Sequence, residues 1–196
     1  MKYFKYSASL VVILILSLVF IGCAKPPEAE KSVANAAMTA AVAAGADKYA
    51  ATDLGAAKKI WDTAEGQMKE KMYKEAKLAY VDAKAAFEKA AASAAAGKKA
   101  AAAEVNVSVV ALEEAWSKLE TTAKTVEKKM KDKKEAWTAD ATAFTERLKA
   151  TKDGIAADPI GAKAKLAELK TVIDKWDAAF TELAATPVKS EKKKKK

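Results

Sequence analysis

Histidine is absent from this 196-residue chain, and cysteine occurs once. Without imidazole and with a single thiol, the usual zinc and haem ligand sets cannot be assembled, and His-based acid–base catalysis has no agent. No disulfide can form within the chain, which by itself does not argue against an oxidising compartment. Proline and glycine are scarce, at 4 and 7, so there are few breaks between elements and helices can run long. No glycine-rich phosphate loop is present, no serine has a base partner, and no alternating strand pattern occurs. The reading is therefore of a chain with no catalytic residues, no metal site and no cofactor, and not of an enzyme.

What the chain does contain is unevenly placed. Lys2 and Lys5 precede an apolar run, Leu10–Cys23, that stops at Gly22-Cys23. The run falls short of the ~20 apolar residues that a spanning helix wants, which weighs against an uncleaved anchor helix. A basic start, a short apolar stretch and a small residue before a cysteine describe a signal peptide ending in a lipoprotein cleavage box. Cleavage between Gly22 and Cys23 would leave Cys23 as the mature N-terminus, with lipid (palmitate or a similar acyl chain) attached. Bacterial lipoproteins mostly carry Leu three residues before the cysteine; here it is Phe20. Two or three chains, at ~0.8 kcal/mol per buried CH₂, make a stable membrane anchor. Ala24, rather than Asp, follows the cysteine, which points in a Gram-negative envelope to the outer membrane, facing the periplasm.

The net charge of +9 is not spread over the protein. Two lysines belong to the signal peptide, and Lys189, Lys192, Lys193, Lys194, Lys195 and Lys196 cluster at the C-terminal end; between Cys23 and Val188 the charges nearly cancel. The body reads as a mixed-charge helical surface and the last nine residues as a disordered lysine tail. Three readings of the tail arise: a solubilising end, a nucleic-acid tail, which the signal peptide and balanced body oppose, or a contact to an anionic envelope surface such as peptidoglycan. Each lysine near an anionic surface contributes on the order of 1 kcal/mol. The third reading is preferred, with membrane contact through the lipid and no nucleic acid.

Alanine makes up roughly a quarter of the residues after Cys23, far above its ordinary share. With lysine and glutamate, it favours helix throughout, and the expected class is all-α. The pattern divides into a signal peptide (1–22), a tether (23–30), an alanine-rich three-helix unit (31–96), a long helix with a return helix (97–187) and the tail (188–196). The first helix begins near Glu28 with Val33, Ala37, Ala40 and Ala44 on one face and Gly45 as a left-handed cap. Thr52-Asp53 reads as the N-cap of the next helix. Two 3–4 stripes follow: Leu54, Ala57, Trp61, Ala64 and Met68, then Tyr73, Ala76, Tyr80, Ala83 and Phe87. Folded about Lys69–Met72, they match Trp61 with Tyr80 and Leu54 with Phe87, as in an antiparallel hairpin.

Gly97 in the low-complexity stretch Ala91–Ala103 is either a turn or a point within a long helix, and both stay open. Val105, Val109, Leu112, Trp116, Leu119, Ala123, Val126 and Met130 then form a coiled-coil-like stripe, which Lys133 interrupts and Trp137, Ala141, Phe144 and Leu148 resume. Asp153-Gly154 ends it. Asp158-Pro159 starts a return helix with Leu166, Leu169, Ile173, Trp176, Phe180 and Leu183 inward, pairing Trp137 with Trp176, Phe144 with Leu169, Leu148 with Leu166 and Met130 with Leu183. In that hairpin Val105–Ala123 has no partner, so either the N-terminal unit covers it or the protein forms a homo-oligomer. The tryptophans and Tyr49, Tyr73 and Tyr80 read as core. Glu113-Glu114 and Asp174/Asp177 read as solvated helix surface with i,i+4 lysine pairs rather than an acid–base dyad.

The string Ala44–Ala50 (AGADKYA), the spaced alanines around Ala57 and Ala64, and Tyr73-Lys74-Glu75-Ala76 with Ala79, Ala83 and Ala86 resemble an alanine-rich domain of unknown function. That domain occurs in bacterial outer-membrane and periplasmic lipoproteins, and the match spans roughly Lys31–Ala90. Family members often have glycine before the tyrosine, where this chain has Met72. The resemblance implies a helical, envelope-located, non-catalytic module and supplies no active residues. The two-ended layout, lipid at one end and lysine at the other, is also similar to Braun-type lipoproteins, though this chain is longer and folds back. The expected function is a lipid-anchored cell-envelope lipoprotein serving as a structural or interaction module. The alternatives are a peptidoglycan-tethering spacer acting through the lysine tail, and a periplasmic adaptor or chaperone.

Overall fold

A computed structural model describes residues 25–186. Among these residues the secondary structure is helical, with no strand. The helices are α1 (Glu28–Ala43), α2 (Ala46–Tyr49), α3 (Ala51–Lys69), α4 (Tyr73–Met130), α5 (Lys134–Gly154) and α6 (Pro159–Ala185), with a 3₁₀ turn at Lys131–Lys133. The chain divides into two compact units at Ala95/Ala96. The continuous helix α4 supplies its first part to one and its last part to the other, and Gly97 lies within it.

In the first unit, α1, α3 and the start of α4 run up, down and up. Lys31 of α1 reaches Glu65 near the end of α3 (2.7 Å), and Glu30 of α1 meets Lys77 near the start of α4 (2.9 Å). The expected α3–α4 register is present: the rings of Trp61 and Tyr80 meet edge to face at 5.3 Å. Lys71 turns the chain between them at φ +61°. The Met72 amide donates to the Gln67 carbonyl (2.9 Å) and the Lys71 amide to that of Met68 (3.1 Å), the paired bonds of a Schellman cap. Nine of the twelve core residues here are alanine, the others being Leu54, Tyr80 and Phe87. Fully burying a large apolar side chain contributes about 1.5–3 kcal/mol, whereas a single buried methyl is worth about 0.8. These three side chains therefore carry much of this unit's apolar stabilisation.

Two local expectations are corrected in this unit. The buried face of α1 is Ala34 and Ala41, with Val33 49% exposed; because alanine recurs all round this helix, its spacing does not single out a face. Thr52-Asp53 is not a cap. The helix begins at Ala51 without a side-chain cap, and the Asp53 carboxylate accepts from Lys89 of α4 (3.0 Å).

In the second unit, the last part of α4, then α5 and α6, again run up, down and up. An unbroken helix would separate Trp116 from Phe144 by about 40 Å at ~1.5 Å per residue. Their ring centroids instead lie 3.8 Å apart, and Glu113 meets Lys152 at 2.7 Å. The chain thus reverses at Lys131–Lys133, where the stripe skips. The long 97–153 helix expected from the heptads is two antiparallel helices. The α5–α6 register is as expected: Trp137 meets Trp176 at 5.3 Å. Met130 and Leu183 join the same cluster, with Met130 contributed by α4. The stripe Val105–Ala123 is buried within this unit, and neither the first unit nor a second copy is needed to cover it.

Asp158 caps α6, its carboxylate accepting from the Gly161 amide at 3.1 Å. A Cβ on Gly161 would sit 2.1 Å from that carboxylate, whereas one on Gly55 would meet nothing within 4 Å. Gly55→Ala is expected to stabilise the protein by about 0.5–1 kcal/mol. Gly161→Ala should displace the cap, worth about 1 kcal/mol, and gain nothing; in an Asp158→Ala background it should become stabilising. Urea unfolding of Gly55→Ala and of the four proteins of the Gly161/Asp158 cycle checks these signs.

Candidate functional site

The residues that carry the sequence-based site, Gly22, Cys23, Lys189 and Lys192–Lys196, lie outside the described residues. Within 25–186 the chemistry-bearing side chains gather into two clusters that sequence spacing did not reveal, because their members are far apart in the chain.

In the first unit, Glu65 on α3 accepts from Lys31 of α1 at 3.0 Å and from the hydroxyl of Tyr80 on α4, joining all three helices. Tyr80 is fully buried. Burial, and then the Glu65 carboxylate, push its phenol above the ordinary range, so it serves as a hydrogen-bond donor and not as a titrating acid near neutrality. Burial of Glu65 favours its neutral form, but the Lys31 ammonium and then the Tyr80 hydroxyl outweigh that, and its pKa is lowered. The Lys31 ammonium also stands 6.0 Å from the centre of the Trp61 ring.

The second unit repeats the chemistry. Asp140 on α5 accepts from Lys175 and from the indole N–H of Trp176, both on α6 and both at 2.8 Å. The Lys175 hydrogen bond, followed by that of Trp176, lowers the Asp140 pKa. Lys175 lies 5.2 Å from the Trp176 ring centre. In each unit a carboxylate holds a lysine and an aromatic donor, and the lysine covers a tryptophan. This arrangement fastens helices together.

The tryptophans sit on the packed faces. Trp116 and Trp176 are buried, and Trp61 and Trp137 are half-buried. Trp137 is a hub, 5.2 Å from Trp116 of α4 and 5.0 Å from Phe180 of α6. Asp174 pairs with Lys170 one turn away (2.8 Å), as expected, but Glu113 pairs across helices with Lys152. Between α4 and α6 an open apolar groove of about 380 Å³ has Leu112, Leu166 and Ile173 along it and Lys163 and Lys170 at its edge. Among the described residues no three His, Cys, Asp or Glu side chains are grouped to hold a metal ion, and no helix is long and apolar enough to cross a membrane. No protein-family model, curated protein or solved structure matches the chain.

Both clusters make stability depend on pH with a defined sign. The folded carboxylate pKa values are depressed, so the stabilisation is present above the unfolded value, about 4, and is lost as pH falls through the folded one. Melting temperature is expected to fall on acidification through this range, and less steeply in Glu65→Gln and Asp140→Asn. At neutral pH, Tyr80→Phe should lose about 1.5–3 kcal/mol, the contribution of a hydrogen bond to a charged group. Thermal melts from pH 3 to pH 7 check both expectations.

Proposed function

We propose that this chain is a lipid-anchored protein of the bacterial cell envelope, held through Cys23, whose helical body is a non-catalytic structural or interaction module. The observation that carries the reading is the segment Val19-Phe20-Ile21-Gly22-Cys23, placed after a basic start and a short apolar run and containing the sole cysteine of the chain. Lipid on that sulfur fixes one end of the protein in a membrane leaflet. The body that follows is consistent with a mechanical or docking role. Several of its carboxylates, Glu65, Glu113 and Asp140 among them, hold lysines of neighbouring helices, and its tryptophans pack in the helix interfaces. Kinship with the alanine-rich lipoprotein domain belongs to the same proposal.

A second reading concerns the other end. The charge excess lies at Lys189 and Lys192–Lys196, which favours contact with a carboxylate-bearing polymer such as peptidoglycan, screened beyond ~8 Å at physiological salt. In this reading the protein spaces or tethers two envelope layers.

Growth with a radiolabelled fatty acid tests the anchor. The wild-type chain is expected to take up label and to be processed, and Cys23→Ser to do neither. An unlabelled wild type, or a labelled Cys23→Ser, overturns the proposal. For the tail, co-sedimentation with purified peptidoglycan should be strong at low salt and weak at high salt, and deletion of Lys192–Lys196 should remove it without changing the helical circular dichroism. Equal sedimentation of the truncated chain counts against the tail contact and leaves the anchor untouched.

A further inference from the structure

The reversal between α4 and α5 is made within three residues, Lys131–Lys133. Met130 (φ −65°, ψ −33°), Lys133 (φ −83°, ψ −10°) and Lys134 (φ −63°, ψ −43°) all keep right-handed helical dihedrals. Lys131 alone in this turn stands at positive φ, +40°, a region that disfavours any residue carrying a Cβ. The α3–α4 turn is different, since there Glu70–Met72 leave the helix together and are held by a Schellman pair.

The local sequence marks the bend only weakly. Lys128–Trp137 contains no glycine, proline or asparagine; Asp132 is a poor helix former and a common turn residue, but the lysines, Glu135 and Ala136 around it favour continuing a helix. The bend is imposed by the packing of Trp116 on Phe144 and Trp137, with Glu113 reaching Lys152. A short hinge under strain, set between two good helices, is where exchange between copies needs the least rearrangement.

We infer that this chain exchanges the α5–α6 hairpin with a second copy of itself. Lys131 relaxes to right-handed dihedrals, α4 and α5 join into one helix, and the hairpin of each copy packs on the last part of α4 of the other. The occupant follows from the surfaces that opening exposes. On α4 these are Val105, Leu112, Trp116 and Leu119; on the hairpin they are Phe144 and Trp137. Each is the apolar complement of the other, and Glu113–Lys152 and Glu127–Lys134 supply matching charges at the same register. The hairpin keeps its own internal pairs, Asp140–Lys175 and Arg147–Glu168, and so travels as a unit. This inference does not depend on the anchor at Cys23.

The test uses the full-length chain carrying Cys23→Ser, Glu113→Cys and Lys152→Cys, joined by a short bis-maleimide after folding at low and at high protein concentration. Exchange predicts monomeric product from dilute folding and covalent dimer from concentrated folding. Lys131→Gly, which removes the strain at the hinge and weakens the joined helix, should raise the dimer dissociation constant about tenfold per hinge, or about a hundredfold for the pair. Lys131→Val, least tolerant of positive φ, should lower it. Absence of covalent dimer at every concentration overturns the inference, as does a dimer fraction that Lys131→Gly leaves unchanged. Should Lys131→Val fail to fold, the comparison of Lys131→Gly with the parent chain decides.

Discussion

The second unit depends on the chain turning back between Met130 and Lys134. Until it does so, the stripe from Val105 to Met130 has nothing to pack against, and burying each of its large side chains is worth about 1.5–3 kcal/mol. Turning back brings α5 and α6 into one core with that stripe. The opposing cost is a single lysine at positive φ, of order 1–2 kcal/mol. Burial exceeds that cost several times over, which is why a sequence that locally favours continuous helix nevertheless folds here.

The two units reach the same up-down-up arrangement with different materials. The first packs alanine against alanine around Leu54, Tyr80 and Phe87. Such an interface brings helices close, and its fit is sensitive to added volume. The second packs large side chains, with Trp137 touching aromatics of both neighbouring helices. Each is then fastened by one carboxylate shared between a lysine and an aromatic donor. A buried phenol or indole N–H without a partner is costly, so Glu65 and Asp140 add specificity as well as attraction. These side chains are occupied in holding helices, which agrees with proposing a structural or interaction role for the body and locating the distinctive chemistry at its ends.

That division of labour frames the proposed function. Lipid at Cys23 would hold one end by burying hydrocarbon, which salt does not weaken. The lysine tail would act through charge, which salt screens within about 8 Å. A protein attached by two such different forces can be released at one end while it stays held at the other, a property suited to spacing or docking within an envelope.

Much of this protein was legible from its residues. Composition determined the all-α class, since alanine, lysine and glutamate admit little else when glycine and proline are scarce. Periodicity determined two registers, Trp61 against Tyr80 and Trp137 against Trp176, because large side chains at 3–4 spacing have few ways to match across a turn. Asp158-Pro159 announced its helix start through local hydrogen bonding that needs no tertiary context. The segment ending at Cys23 raised the anchor proposal by the same kind of local logic. Tertiary structure alone decided the rest. It chose which face of α1 is buried, where alanine on every side left the spacing uninformative. It bent the chain at Lys131, where no glycine, proline or asparagine marked a turn. It assembled Lys31, Glu65 and Tyr80, whose separation in sequence hides their contact. The physical reason is common to these: local signals report what a segment prefers in isolation, whereas burial and charge pairing between helices are sums over distant partners and outweigh the preference of any one residue.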